Sequence, residues 1–172
     1  MKRMWFVVAC FLAVPLFAQK AGTASGKGTI EDLAFSPKFA YAYSEGSGAK
    51  RSTWIVLTEK EPPLTAWSHP KDRQEARQEW CAKEKTPFVA LKLDAEYKVD
   101  LYFLCSANGA LGTEMLSTWN GLDSVQVKFT QRDAARLKGG FKTGSGSCPA
   151  SDGSDAYCTP TGDYAFDAPL VK

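Results

Sequence analysis

Short segments in which apolar residues alternate with polar or small ones recur along most of this 172-residue chain. That period of two constrains the fold more than any other feature, because it places successive side chains on opposite faces of an extended backbone. Phe39-Ala-Tyr-Ala-Tyr43 alternates aromatic rings with alanine. Val89, Leu91 and Leu93 share one side of a segment, and Val99, Leu101, Phe103 and Cys105 share one side of the next. Asp94-Ala-Glu-Tyr97 between them reads as the turn of a hairpin. Val125, Val127 and Phe129 alternate with Gln126, Lys128 and Thr130, which predicts a half-exposed strand. Thr53-Trp-Ile-Val-Leu-Thr58 is instead a continuous apolar run, as expected of an interior strand covered on both faces. Segments 136–143, with Gly139-Gly140 marking a bulge or close packing, and 163–167 add two more. About eight short strands with one helix predict a mainly β fold, an antiparallel β-sandwich or barrel with one surface helix. An α+β layered fold is the alternative.

The helix is expected over Lys71 to Lys85, which carries good helix formers and a Glu79–Lys83 pair at i,i+4. Its apolar content is narrow, limited to Ala76, Trp80 and Cys81, so it should lie on a surface and touch along one seam. Pro87 follows soon after its end. Leu111 to Thr118 is ambiguous between strand and short helix.

The first residues read as an address. Lys2 and Arg3 precede an apolar run from Met4 to Phe17, shorter than the roughly 20 residues of a comfortable membrane span. This predicts a secretory signal peptide over 1–18, cleaved after Ala18, with an uncleaved anchor as the alternative. Val7-Val8-Ala9-Cys10 resembles a lipidation box, which would anchor the protein through Cys10; the apolar run continuing past Cys10 argues against it. Residues 19–27, rich in Gly, Ala, Ser and Thr, are expected to be a flexible lead-in to a single β-rich domain over 28–172. The chain has 21 Lys+Arg and 19 Asp+Glu; without Lys2 and Arg3 the balance is neutral. Overall charge therefore gives no reason to expect a nucleic-acid partner, and no membrane span is expected after cleavage.

Export changes how the cysteines read. Cys81, Cys105, Cys148 and Cys158 remain, an even number suited to two disulfides in an oxidising compartment. Four cysteines allow three connectivities, which spacing does not decide. Cys148–Cys158 is favoured because the loop between them is short and turn-rich, leaving Cys81–Cys105 to clamp the helix across the hairpin. There is no CxxC pair, no zinc-binding spacing and only one imidazole, His69, so neither a metal nor another cofactor is expected.

Catalytic motifs are equally scarce. His69 stands between Ser68 and Pro70 without a GxSxG motif, and no catalytic residue can be nominated. Asp94 with Glu96 and Asp152 with Asp155 are acid pairs at turn positions, where carboxylates are ordinarily solvated. Asp152-Gly-Ser-Asp155 lacks the ligand count of a calcium loop. The aromatics carry more. Phe39, Tyr41 and Tyr43 form a ladder that either faces the core, the commoner fate of such rings, or offers a platform to a sugar ring or a protein, with Trp54 or Trp67 nearby.

Gly28-Thr29, Phe39-Ala-Tyr-Ala-Tyr43, Trp54-Ile-Val-Leu-Thr58 before Pro62-Pro63-Leu64, Gly139-Gly-Phe-Lys-Thr143 and Gly162-Asp-Tyr-Ala-Phe-Asp-Ala-Pro-Leu170 resemble a group of secreted bacterial β-rich proteins. The resemblance implies export and a β-rich domain, and it carries over no functional residue. Together these observations lead to the expectation of a periplasmic or secreted, disulfide-stapled, non-enzymatic binding domain. Its partner would be a protein or glycan, with Phe39, Tyr41, Tyr43, Trp67 and Tyr157 as candidate contacts. A carboxylate-dependent hydrolase of cell-wall or extracellular polymers and a structural envelope lipoprotein are the alternatives.

Overall fold

Alternation of this kind builds sheets, and one sheet dominates the computed structural model, which describes residues 20–30, 33–64, 67, 73–105, 114–117, 125–143, 146–149, 155–158 and 162–171. The strands are β1 (Gly22–Ile30), β2 (Leu33–Phe35), β3 (Phe39–Glu45), β4 (Ser52–Thr58), β5 (Phe88–Leu93), β6 (Val99–Cys105), β7 (Glu114–Ser117), β8 (Gln126–Arg132), β9 (Arg136–Thr143), β10 (Gly146–Pro149), β11 (Asp155–Cys158) and β12 (Gly162–Val171). Among the described residues one α-helix, α1 (Arg73–Glu84), enters between β4 and β5. The protein is mainly β: an open, curled antiparallel sheet forming a half-barrel, with one helix.

The strands follow the order β7-β6-β5-β4-β3-β1-β12-β9-β8, with β2 paired to β1. β3 through β7 pair antiparallel in sequence order, with α1 carried on the connection from β4 to β5, and β8 pairs with β9, whereas β12 returns from the end of the described chain to lie between β1 and β9. Its last residues also run parallel to β3, with Leu170 opposite Ala42 and Val171 opposite Tyr43. β10 and β11 form a separate two-stranded ribbon in which Cys148 faces Ala156 and Cys158 faces Gly146 in register. The expected Cys148–Cys158 bond falls on side chains outside those described, as does Tyr157.

The expected flexible lead-in is instead strand from Gly22 onward. β1 pairs with β12 from Thr23 to Gly28 and with β2 and β3 on its other side. Its small residues have little strand preference of their own, and their strand state comes from neighbours on both sides. Gly26 shows why a small residue is needed: it has φ of 135°, and a side chain there would collide with the Asp163 carbonyl. Within 111–118 the described part, 114–117, is strand, paired to β6.

Curling gives the sheet a concave and a convex face, and the period of two sorts side chains between them. The concave face holds the larger core: Ala40, Ala42, Ile55, Leu57, Val89, Leu91 and Leu93 from one half meet Leu137, Phe141, Tyr164, Phe166 and Ala168 from the other. Phe35 and Phe141 pack against Tyr164 at ring-centroid distances of 5.7 and 5.2 Å. At the open end of this core the exposed Arg132 lies over the Tyr97 ring, 4.5 Å from its centre, because a register shift between Phe129 and Gln131 puts it on the concave side opposite Leu137. The convex face is divided. Over β3, β4 and β5 it is sealed by α1; over β1, β12, β9 and β8 no described element covers it.

Candidate functional site

The sealed half receives most of the sequence candidates. Alternation in β3 sends Ala40 and Ala42 to the concave core and Tyr41 and Tyr43 to the convex side, where register puts Tyr43 directly opposite Trp54. The rings form an arch. Trp54 stacks on Tyr43 at 6.1 Å, Tyr43 on Tyr41 at 6.2 Å, Tyr41 meets Trp67 at 5.1 Å, and Trp67 meets Trp80 of α1 edge-on at 5.1 Å. Tyr41 and Tyr43 are each 2% exposed and Trp67 is 4% exposed. These three side chains therefore sit inside the fold and offer no open platform.

What α1 brings to this arch was not apparent from its sequence. The helix touches along one seam, where Ala76, Trp80 and Cys81 pack as expected, but Arg73 and Arg77, spaced by four with Cys81 and so stacked on one face, are buried there too. Arg77 is only 2% exposed; its guanidinium donates a hydrogen bond to Tyr43 Oη and lies over the Trp54 ring, 4.8 Å from its centre. Arg73 lies 4.4 Å from the centre of the Tyr43 ring and donates from Nε to the Trp67 carbonyl at 2.8 Å. No carboxylate among the described residues lies within ion-pair distance of Arg77. Its charge rests on phenol oxygens and aromatic faces, a cation–π arrangement that is strongest when water is excluded.

The electrostatics follow from that packing. Burial pushes the Tyr43 phenol up to about 12 and the Tyr41 phenol well above its usual value, with the Arg77 charge pulling both partly back. Burial works against the Arg77 cation, but the two phenols more than offset it and hold its pKa above the usual value. Both phenols are thus neutral and Arg77 is charged across the physiological range. The interstice between Tyr41, Tyr43, Leu64, Trp67, Arg73 and Val171 is too tight for a water molecule, so the arch is packing and not a ligand chamber.

A disulfide closes the seam. Cys81 is bonded to Cys105, with their Cα atoms 6.5 Å apart, which pins α1 to the end of β6. The helix stops four residues later, where Lys85 takes a left-handed φ of 47° and the Thr86 N–H donates back to the Cys81 carbonyl at 3.3 Å.

The uncovered half of the convex face has a different makeup. Three rows cross it at right angles to the strands. In the first, Lys27, Asp163 and Lys142 stand side by side; in the second, Ser25, Ala165, Gly140 and Lys128; in the third, Phe39, Thr23, Asp167, Lys138 and Gln131. The middle row is small from Ser25 to Gly140 and makes a trough between two charged rows about 7 Å away on either side, the distance of two strand residues. An open groove of about 450 Å³ lies between the Ser25–Ala165 end of this row and the Thr23–Asp167–Lys138 row, lined by Thr23, Ser25, Thr130, Lys138, Ala165 and Asp167 among others. Phe39, half-buried and opposite Thr23, stands where the sealed and bare halves meet. Of the five aromatic candidates, it alone is shown with its ring partly open to solvent.

Acids on this face are engaged. Asp163 pairs with Lys142 at 2.6 Å, and Asp167 with Arg136 at 2.9 Å and Lys138 at 3.7 Å. The two carboxylates are four residues apart on one strand, about 13 Å, beyond the separation at which two acids flank a scissile sugar bond. Asp94, another acid candidate, accepts hydrogen bonds from the Glu96 and Lys98 amides and so shapes its own turn. His69 and the Asp152–Asp155 pair lie outside the described residues or side chains. Among the described residues no helix is long and apolar enough to cross a membrane, and no cluster of His, Cys, Asp and Glu could hold a metal ion. Compared with family models, curated proteins and solved structures, the chain matches none.

Proposed function

We propose that this chain is an exported, non-enzymatic binding domain of the bacterial envelope or exterior, and that it works through the bare half of its convex face. The observation that carries the reading is the division of that face. One half is closed by a helix, a disulfide and an aromatic arch, while the other is left open over a groove lined by hydroxyls, Lys138 and Asp167, with the half-buried Phe39 beside Thr23. Sheets normally cover an apolar face and leave a polar one to water; a groove with convergent polar groups on such a face is the default place for a ligand. The apolar leader over 1–18 supports export, and a disulfide suits an oxidising compartment. A hydrolase gains no support from this face, whose acids are spaced too far apart and held by cations.

Two measurements test the proposal. Intact mass of protein from the native host should show a chain beginning near Gln19 and without an acyl group; an acylated Cys10 would make it a lipoprotein instead. Purified exported protein should co-sediment with isolated host envelopes, and Lys138→Glu with Lys142→Glu should abolish this while leaving the melting temperature nearly unchanged. Failure of the wild-type protein to associate, or equal association by the variant, would overturn it.

A further inference from the structure

Charge on the bare half is sorted in a way the whole chain conceals. Across the three rows and Arg136, which lies opposite Pro169, five cations face two carboxylates: Lys27, Lys128, Arg136, Lys138 and Lys142 against Asp163 and Asp167. All five cations are exposed. Three of them share the two acids, while Lys27 and Lys128 make no ion pair among the described residues. Lys128 closes one end of the trough on β8, and Lys27 stands on β1 in the row beside its other end, three strand spacings across and one row over, about 16 Å away. The formally neutral mature chain thus presents a local excess of positive charge around a groove, where low-dielectric walls concentrate the field.

Resting on the function proposed above, we infer that the trough takes one strand of an acidic polysaccharide, with sugar hydroxyls on Thr23, Ser25 and Thr130, acid groups on the flanking lysines and a sugar face against Phe39. Three features favour that occupant. Neighbouring cations are about 7–10 Å apart and interleaved with Asp163 and Asp167, a spacing suited to a polymer with sparse acids and not to a nucleic acid with a charge every few ångströms. An anionic bilayer would press its phosphates on those same aspartates, and Phe39 alone is a poor apolar anchor for a surface that binds through many. A hydroxyl-lined groove with the partly open Phe39 ring at the end of its bordering row suits a chain that is polar at its edges and apolar on its ring faces.

Polygalacturonate, a polymer of uronic acid, is the probe, with neutral dextran and phosphatidylglycerol vesicles beside it. Calorimetric titration of the full exported chain should show binding to polygalacturonate that weakens as salt rises, and none to dextran. Lys27→Glu with Lys128→Glu should weaken binding tenfold or more and Phe39→Ala severalfold, each with an unchanged melting temperature. Should the charge-reversed pair fail to fold, Lys27→Gln with Lys128→Gln carries the same test. No binding to polygalacturonate, stronger binding to the vesicles, or full binding by a folded Lys27/Lys128 variant would overturn the inference. If polygalacturonate fails while envelope association persists and still needs Lys138 and Lys142, the ligand class falls and the binding-domain proposal stands. If both fail, both fall.

Discussion

The two halves of the convex face are made by the same sheet and the same alternation, yet they bury charge in opposite ways. Over β3 and β4 the cations Arg73 and Arg77 are delivered by a helix into a dry arch of rings, where no described carboxylate meets Arg77. Over β12 and β9 the cations are rooted in the sheet itself, stay in water and meet aspartates across the strands. The first arrangement is committed to stability, because a buried charge whose partners are removed is costly. The second contributes little to stability, since exposed ion pairs are worth at most about 1 kcal/mol, and so it is free to serve a ligand. A cation's position in the sheet matters less here than whether something covers it.

The sharpest way to break this contrast is to empty the arch. Trp67→Ala removes the ring between Tyr41 and Trp80 and should cost about 3–5 kcal/mol in a denaturant titration; a loss below about 1 kcal/mol would mean that the sealed half is not a core. Next comes the staple. Cys81→Ala with Cys105→Ala opens a cross-link spanning 24 residues and should cost about 3 kcal/mol under non-reducing conditions, while the double variant should be insensitive to added reductant.

Alkali offers a third probe. Burial holds the Tyr43 phenol near 12 in the fold against an ordinary value of 10, so the folded state resists ionisation that the unfolded chain allows. Stability linked to this group is complete below about pH 10 and is lost as pH rises through 12, by about 2–3 kcal/mol. Tyr43→Phe should shrink that loss while costing about 1–2 kcal/mol at neutral pH, because an Arg77 N–H is left without its acceptor. A denaturation midpoint that is flat between pH 9 and 12 would contradict the buried phenol. The smallest effect belongs to the bare half, where Lys27→Glu with Lys128→Glu should shift stability by less than about 0.5 kcal/mol. A larger loss would place those lysines in the structural ledger with Arg77.

Alternation made the sheet legible: β3, β4, the β5–β6 hairpin, β8, β9 and β12 follow segments whose pattern is visible in the residues alone. The helix was visible too, through its formers and its Glu79–Lys83 pair. Its underside was visible only in part, because arginines such as Arg73 and Arg77 are ordinarily solvated and carry no apolar signal. The signal available was their spacing of four, continued by Cys81, opposite a strand offering two tyrosines on one side. β1 was hidden for another reason. Apart from Thr23, the run Gly22 to Gly26 carries no strand preference, and its conformation is imposed by β12 and β3, partners outside the segment. The trough was illegible for the same cause, since its rows exist only once register sets Ser25 beside Ala165 and Gly140. The aromatic ladder was half legible: its common face could be seen, but not that a helix would roof Tyr41 and Tyr43 and stop short of Phe39.

β12 sits between β1 and β9 and touches β3 as well, although it is the last described strand to be synthesised. Until it arrives, the hairpins on either side have no common seam, so the sheet cannot knit while residues 162–171 are still within the ribosome or a translocation channel. Under the export proposed above, that delay keeps the chain threadable, because the piece that would lock it into shape emerges last.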